Sequence, residues 1–289
     1  MTSKKDNTTC GKSKGCAHDH SGATGPGVDE KITQTLGQIR HKLLVMSGKG
    51  GVGKSSISAA LALVLASRGY QVGLLDVDIH GPSLAGMMGV KGLLDLTTDQ
   101  KVLPKTVTPY LKVISMQSLM QNKDQAVIWR GPAKSGVIRQ FIGEAQWGRL
   151  DFLIIDAPPG TGDEPLSVAQ TIPEAKAVIV TTPQEVALAD VRKSINFCRA
   201  IHLDMLGLIE NMGPFACPCC GKPISLFKSN GGQATAAQME VPFLGTLPFD
   251  PKVVKTFDDG LPLELFAAAP AFVKALEAAV EKIVSGVEE

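Results

Sequence analysis

Between two apolar runs, KLLVMS and ISAALALVLA, the chain reads SGKGGVGKSS at residues 47–56. Gly48 to Ser55 satisfies the phosphate-loop pattern G-x-x-x-x-G-K-[ST] without a mismatch, and the pattern dictates a strand, a tight turn and a helix in that order. In such a loop the backbone N–H groups of Gly48, Lys49, Gly50, Gly51, Val52 and Gly53 wrap a phosphate, and Ser56 completes the binding stretch. Lys54 reaches the β and γ oxygens, and Ser55 offers its hydroxyl to Mg²⁺. Gly48, Gly50 and Gly53 also fit the dinucleotide pattern G-x-G-x-x-G, but that reading leaves Lys54 and Ser55 unexplained. Lys49 is a second loop lysine that the phosphate pattern does not require; it reaches phosphate from its own loop or from a partner's.

Further apolar runs, VGLLDVD, LKVISM, DFLIIDAP, AVIVTTP and LGLIENM, alternate with helical patterns. Uninterrupted apolar strands separated by helices imply a mostly parallel sheet covered on both faces, which makes the fold class α/β, a three-layer P-loop NTPase sandwich. With 289 residues and 44% apolar content, the chain suffices for one large domain. Residues 1–35, opening with a polar stretch that holds Cys10 and Cys16, read as a flexible tail, and 36–289 as a single ATPase domain. The closing pattern PAFVKALEAAVEKIVSGV puts Phe272, Leu276, Val280 and Ile283 on one helix face, for packing on the sheet. A net charge of +1 gives no electrostatic footprint for nucleic acid. No run is long enough to span a bilayer and the N-terminus lacks an apolar signal core, so a cytoplasmic location with no membrane partner is expected.

In sheets of this kind ligands bind at the carboxyl ends of the strands. Asp76 and Asp78 end one run and Asp156 another. Singly, such residues are turn formers or caps; three around one phosphate loop read as groups that hold hydrated Mg²⁺ and orient an attacking water. Pro158, Pro159, Gly160 and Gly162 make the loop after Asp156 a candidate γ-phosphate switch. The guanine-reading pattern N-K-x-D is absent, since QNKDQ has the residues at Asn122 to Asp124 without the spacing, and ATP is the expected nucleotide.

The stretch GPFACPCCGKPISLF places Cys217, Cys219 and Cys220 within four positions, half of the six cysteines in the chain. In a reducing compartment such spacing signals ligands or redox thiols rather than a structural disulfide. By spacing alone, zinc and an iron-sulfur cluster stand about equal. A thioredoxin-like role fits less well, because the pair does not open a helix after the first strand of a redox fold. The tail adds Cys10, Cys16, His18 and His20, which read first as part of a disordered segment. Cys198, on an apolar helix, reads as a core thiol, and His80 as a turn residue.

Taken together, GKGGVGKS with its extra lysine, DVDIHGPS, WRGP, DAPPGTGDE, TTPQE, ENM, the cysteine pair and PFLGTLPFDP resemble the Mrp/ApbC-type iron-sulfur cluster carriers, deviant Walker A ATPases of the MinD/ParA-like superfamily. The resemblance spans roughly residues 36 to 285. It implies a homodimer that binds ATP and Mg²⁺, hydrolyses slowly, takes a 4Fe-4S cluster from a donor and delivers it to apo-proteins. By the same resemblance Lys49 is the signature lysine, Lys54 and Ser55 serve phosphate and Mg²⁺, and Asp78 orients water. Asp76 and Asp156 support the metal, Asn211 contacts adenine, and Cys217 and Cys220, in the segment at about 214–228, are cluster ligands. Cys219 departs from the commoner pattern. A cluster of this type takes four thiolates, so two per chain imply a site bridged across a two-fold axis. The alternative is a MinD/ParA-like partner-positioning ATPase in which the same cysteines hold a structural zinc.

Overall fold

The first apolar run is buried without interruption from Lys42 to Ser47, as a strand covered on both faces must be. The computed structural model describes residues 26–78, 81–97, 101–119, 131–217, 219–227 and 230–288. In chain order the first half comprises α1 (Pro26–Leu36), β1 (Ile39–Ser47), α2 (Lys54–Ser67), β2 (Val72–Asp76), α3 (Leu84–Met87), the short β3 (Asp95–Leu96) and β4 (Val102–Leu103), β5 (Lys105–Thr108), β6 (Leu111–Ser115) and α4 (Gly131–Glu144). The second half comprises β7 (Leu150–Asp156), α5 (Asp163–Thr171), β8 (Lys176–Thr181), α6 (Glu185–Ala200), β9 (Met205–Gly213), the hairpin β10 (Phe215–Ala216) and β11 (Pro223–Ile224), α7 (Gly231–Gln238), β12 (Phe243–Pro248), α8 (Pro251–Asp258), α9 (Leu265–Ala268) and α10 (Pro270–Glu288).

Eight strands form one sheet in the order β12-β9-β8-β1-β7-β2-β6-β5. Neighbours are parallel except β5, which runs antiparallel to β6 at the edge. Successive side chains along the central strands feed opposite cores, because strand side chains alternate. Leu43 and Val45 join the core under α2, α8 and α10, while Leu44 and Met46 join the one under α1, α4, α5 and α6. The architecture is therefore the expected three-layer α/β sandwich. Its two central strands, β1 and β7, end side by side where the phosphate loop begins.

Helix α2 is buried from Ile57 to Ala66 on all sides, packed by strands of the sheet and by α10. A helix with no polar face is stable only inside a protein. On α10, Phe272, Leu276, Val280 and Ile283 are all buried, as their spacing predicts.

The tail boundary differs from expectation. Residues 26–35 belong to α1, whose Ile32 and Leu36 are buried against α4. Two apolar residues four apart suffice to dock one helical face, a signal too short to stand out from a polar stretch. Cys10, Cys16, His18, His20, His80, Asn122 to Asp124 and the Trp129–Arg130 pair lie outside the described residues.

Gly73 lies in the middle of β2, where a β-carbon would stand 2.7 Å from Leu150 Cδ1 and 3.0 Å from both Leu153 Cδ1 and Trp147 Cε3. Replacing it with alanine overpacks a buried corner, and Gly73→Ala is expected to cost about 1–3 kcal/mol. Urea denaturation should show a lower midpoint with an unchanged slope.

Candidate functional site

The phosphate loop leaves β1 at Ser47, whose Oγ donates to the Lys49 carbonyl at 3.0 Å. Gly51 and Gly53 take φ of +80° and +84°, a left-handed backbone that side-chain-bearing residues rarely adopt. Gly48 is required for a different reason: a β-carbon there would lie 2.5 Å from the backbone carbon of Asp190 on α6. The loop is thus pressed against α6 on one flank. Gly53 caps α2 without a side-chain hydrogen bond, so the first N–H groups of this buried helix face the loop and the helix dipole favours an anion there.

Asp156, at the end of β7, gathers the helix start. Its Oδ2 accepts from Ser55 Oγ at 2.6 Å, and its Oδ1 accepts from Ser58 Oγ at 2.7 Å. Lys54 Nζ stands 2.8 Å from the same Oδ1, but off the line of a hydrogen bond. Both charged groups are buried, Lys54 at 7% and Asp156 at 1% exposure. The pair is held by charge, and the ammonium makes no hydrogen bond among the described residues.

Asp76 ends β2 in direct register with Asp156 on β7. It accepts from the backbone N–H of Asp78 at 3.1 Å and of Leu84 at 3.2 Å, and from Ser115 Oγ at 2.8 Å. Complete burial pushes its carboxyl up to about 7, the Asp156 charge adds to the rise, and Ser115, Lys54 and the Asp78 N–H oppose it. Two buried carboxylates side by side with one lysine fit a divalent cation, which would relieve their repulsion. Asp78 lies two residues beyond the strand and accepts from Gly81 N–H at 3.1 Å. In the loop after β7, the Gly160 N–H donates to the Ser47 carbonyl at 2.8 Å, tying the loop after Asp156 to the root of the phosphate loop.

Lys49 is half-buried and makes no ion pair among the described residues. Asn211, at the end of β9, donates from Nδ2 to the Val52 carbonyl at 2.9 Å, and a β-carbon on Gly53 would come within 2.4 Å of that nitrogen. In this geometry Asn211 buttresses the back of the phosphate loop. Ser58 and Ser115 were not read from the sequence as part of the site. The signal for Ser58 was present, a hydroxyl one turn after Lys54 in an otherwise apolar helix.

The cysteine segment leaves β9 at Gly213 and folds into the β10–β11 hairpin. The Cys217 N–H donates to the Lys222 carbonyl and the Gly221 N–H to the Cys217 carbonyl, both at 2.8 Å, closing a tight turn. Cys217 is half-buried, with Cys219 and Cys220 exposed. The backbone N–H groups of Cys219 and then Cys220, with the Cys220 thiol, point to the Cys217 sulfur and hold its thiol below the usual range. Cys219 therefore contributes its amide to the turn. Cys198 is fully buried on α6, with its sulfur 3.9 Å from Met46 Sδ and its thiol pushed up to about 11 by burial, in keeping with a core thiol.

The raised carboxyl of Asp76 sets the direction of a pH dependence. A group whose folded pKa lies above its unfolded value stabilises the fold below the unfolded value and loses that contribution as pH rises through the folded one. For Asp76 the window runs from 3.8 to about 7. Without nucleotide or Mg²⁺, the Asp76→Asn variant should lose less thermal stability than wild type between pH 4.5 and pH 7.5, measured by calorimetry as the difference between the two melting profiles.

Comparison with known proteins agrees with this geometry. The family model described as "ParA: NUBPL iron-transfer P-loop NTPase" matches residues 38–284. An iron-sulfur cluster carrier protein of Methanocaldococcus jannaschii is 42% identical over 88% of this chain and 89% of its own length. A cytosolic Fe-S cluster assembly factor of Dictyostelium discoideum, a NUBP2 homolog, is 48% identical over 75% of this chain and 84% of its own. Among solved structures, a nucleotide-binding protein of Archaeoglobus fulgidus in complex with ADP superposes with a TM-score of 0.72, at 39% identity, covering 82% of this chain and 93% of that one. The cell division ATPase MinD of Pyrococcus furiosus shares the fold, with a TM-score of 0.62 at 24% identity over 85% and 98% of the two chains. With its phosphate loop and acid-ended strands on one mostly parallel sheet and its cysteine turn on the hairpin beyond β9, the chain belongs to the ParA-type family of NUBPL iron-transfer P-loop NTPases.

Proposed function

We propose that this protein is an ATP-dependent iron-sulfur cluster carrier. The observation that carries the proposal is the Cys217–Cys220 turn, in which backbone N–H groups hold the Cys217 thiol below its usual range, on the hairpin that follows β9, the strand whose Asn211 touches the phosphate loop. The names of the relatives support it. The likeness to MinD shows a common fold and does not favour the partner-positioning alternative.

In this reading the triphosphate lies in the turn formed by Gly48, Lys49, Gly50, Gly51, Val52 and Gly53, at the N-terminus of α2, with Ser56 in the first helical turn. The unspent donors of Lys54 turn from Asp156 to the phosphate oxygens. Ser55, Asp76 and Asp156 would hold Mg²⁺, which supplies charge neutralisation at the β and γ oxygens. Asp78 orients the attacking water, Lys49 reaches phosphate, and Asn211, having fixed the loop, contacts adenine. Hydrolysis is slow because its use is to change the state of the dimer rather than to turn over substrate. The nucleotide is ATP, since QNKDQ lacks the guanine-reading spacing.

The cargo is a 4Fe-4S cluster. Cys217 and Cys220 supply two thiolates per chain, and a second copy related by a two-fold axis completes the set. A cluster bridged in that way is held by exposed turns, which suits loading from a donor and transfer to an apo-protein. No helix among the described residues is long and apolar enough to cross a membrane. The proposed setting is the cytoplasm, with neither membrane nor nucleic acid as partner.

Protein purified without oxygen should contain about two irons and two acid-labile sulfides per chain, lost in a Cys217→Ala Cys220→Ala variant. About half a zinc per chain without sulfide would overturn the cluster reading. Lys54→Ala should weaken ADP binding by about 10–100-fold, as loss of charge-assisted hydrogen bonds implies, measured by titration calorimetry. ATP should then no longer change the rate at which a loaded dimer delivers its cluster to an apo-target. Transfer by the variant as responsive to ATP as in wild type would refute nucleotide control.

A further inference from the structure

Glu210 is a fully buried carboxylate in β9 with no ion pair among the described residues. Its Oε2 accepts a short hydrogen bond from the Gly232 N–H in the first turn of α7, and its Oε1 accepts from Thr246 Oγ1 at 3.2 Å on β12. A β-carbon on Gly232 would stand 2.8 Å from Oε2 and 2.9 Å from Cβ of Glu210, so the helix start is pressed directly onto the acid. Gly231 is equally confined, with a β-carbon placed 2.6 Å from Leu188 Cδ1 on α6. An anion at a helix N-terminus is favourable, and a buried one is costly unless its lone pairs are filled. Here the helix start and the threonine fill them.

The position of this acid gives it a use. The cysteine segment departs from β9 at Gly213 and returns to the body of the protein at α7. Glu210 therefore holds both of its ends, one through the three residues of chain that follow it and the other through the Gly232 hydrogen bond. Asn211, the next residue, holds the phosphate loop at the Val52 carbonyl. Adjacent strand side chains point to opposite faces, so one peptide unit separates the phosphate-loop contact on the α2 side from the cysteine-segment contact on the α7 side.

We infer that Glu210 is a positioning residue, through which occupancy of the phosphate loop sets the arrangement of the Cys217–Cys220 turn. A shift of Val52 as phosphate enters the loop moves Asn211, turns the end of β9 and carries Gly232 with it. Two sites are coupled when each biases the same element, and the end of β9 is an element both sites grip. The inference rests on the phosphate loop being a nucleotide site. It does not depend on which metal or cluster the cysteines hold.

The test uses the full-length chain, reduced and freed of metal, with iodoacetamide as probe and mass spectrometry to read Cys217 and Cys220 separately. ADP with Mg²⁺ is expected to change their alkylation rate severalfold in wild type. Glu210→Ala should bind ADP within about twofold of wild type, with a rate ratio near one. Glu210→Gln should restore the ratio, because its amide oxygen still accepts from Gly232 and its NH₂ donates to Thr246 Oγ1. A residue with only a structural role would shift the rate in both states alike and leave the ratio unchanged. Should Glu210→Ala fail to fold, Gly232→Ala decides, since its β-carbon forces the same contact apart. A wild-type ratio in whichever of these two variants is read, or a ratio of one in wild-type protein that binds ADP, overturns the inference. Wild-type protein that does not bind ADP fails the proposed function itself.

Discussion

The Asp156 carboxylate is the contact on which the site is assembled. It joins the end of β7 to three groups in the first turns of α2, the Lys54 ammonium and the Ser55 and Ser58 hydroxyls. It fixes the start of α2 beside Asp76, its neighbour in register at the end of β2. An anion buried this deeply is costly unless it is paired and hydrogen-bonded, and every partner of Asp156 comes from the phosphate loop or the helix it begins. The same requirement makes the arrangement responsive, because a ligand that draws Lys54 away leaves a carboxylate in need of another cation.

The rest of the sheet extends this economy to both flanks. Gly48 lies against the backbone of α6, and Gly53 against the side chain of Asn211, so the loop is fitted between α6 and the end of β9. Beyond β9, the chain makes its excursion to the cysteines and comes back at a helix start that Glu210 holds. The contact with the phosphate loop and the contact with the far end of the cysteine segment thus meet on two neighbouring residues of one strand. The strand is hydrogen-bonded to β8 on one side and β12 on the other, so that meeting point lies inside the sheet rather than at its edge.

Much of this was legible in the sequence, and the exceptions have physical causes. The six apolar runs became the central strands because a strand covered on both faces must be apolar at every position. The edge strand β5 reads KTVT and needs no such run, having a covered neighbour on one side only. β12 was hidden by Gly245, at a φ of +155°, and by Pro248, which break the run FLGTLP and shift its register. In the site, Gly48 to Ser55 and Asp156 announce themselves through fixed spacing. Ser58, Ser115 and Glu210 do not, because their meaning comes from partners 98, 39 and 22 residues away. Only the folded chain brings a lone hydroxyl or carboxylate to the group it serves.

The apolar character of α2 also bears on when the protein acquires its site during synthesis. Residues Ile57 to Ala66 have no polar face to turn to water, and part of their cover is α10, far downstream in the sequence. A ribosome adding roughly 5–20 residues per second delivers that helix on the order of tens of seconds after the phosphate loop has emerged. In the interval the loop is attached to a helix whose outer side is bare. The phosphate-loop motif is therefore synthesised well before the helix that completes the cover of α2.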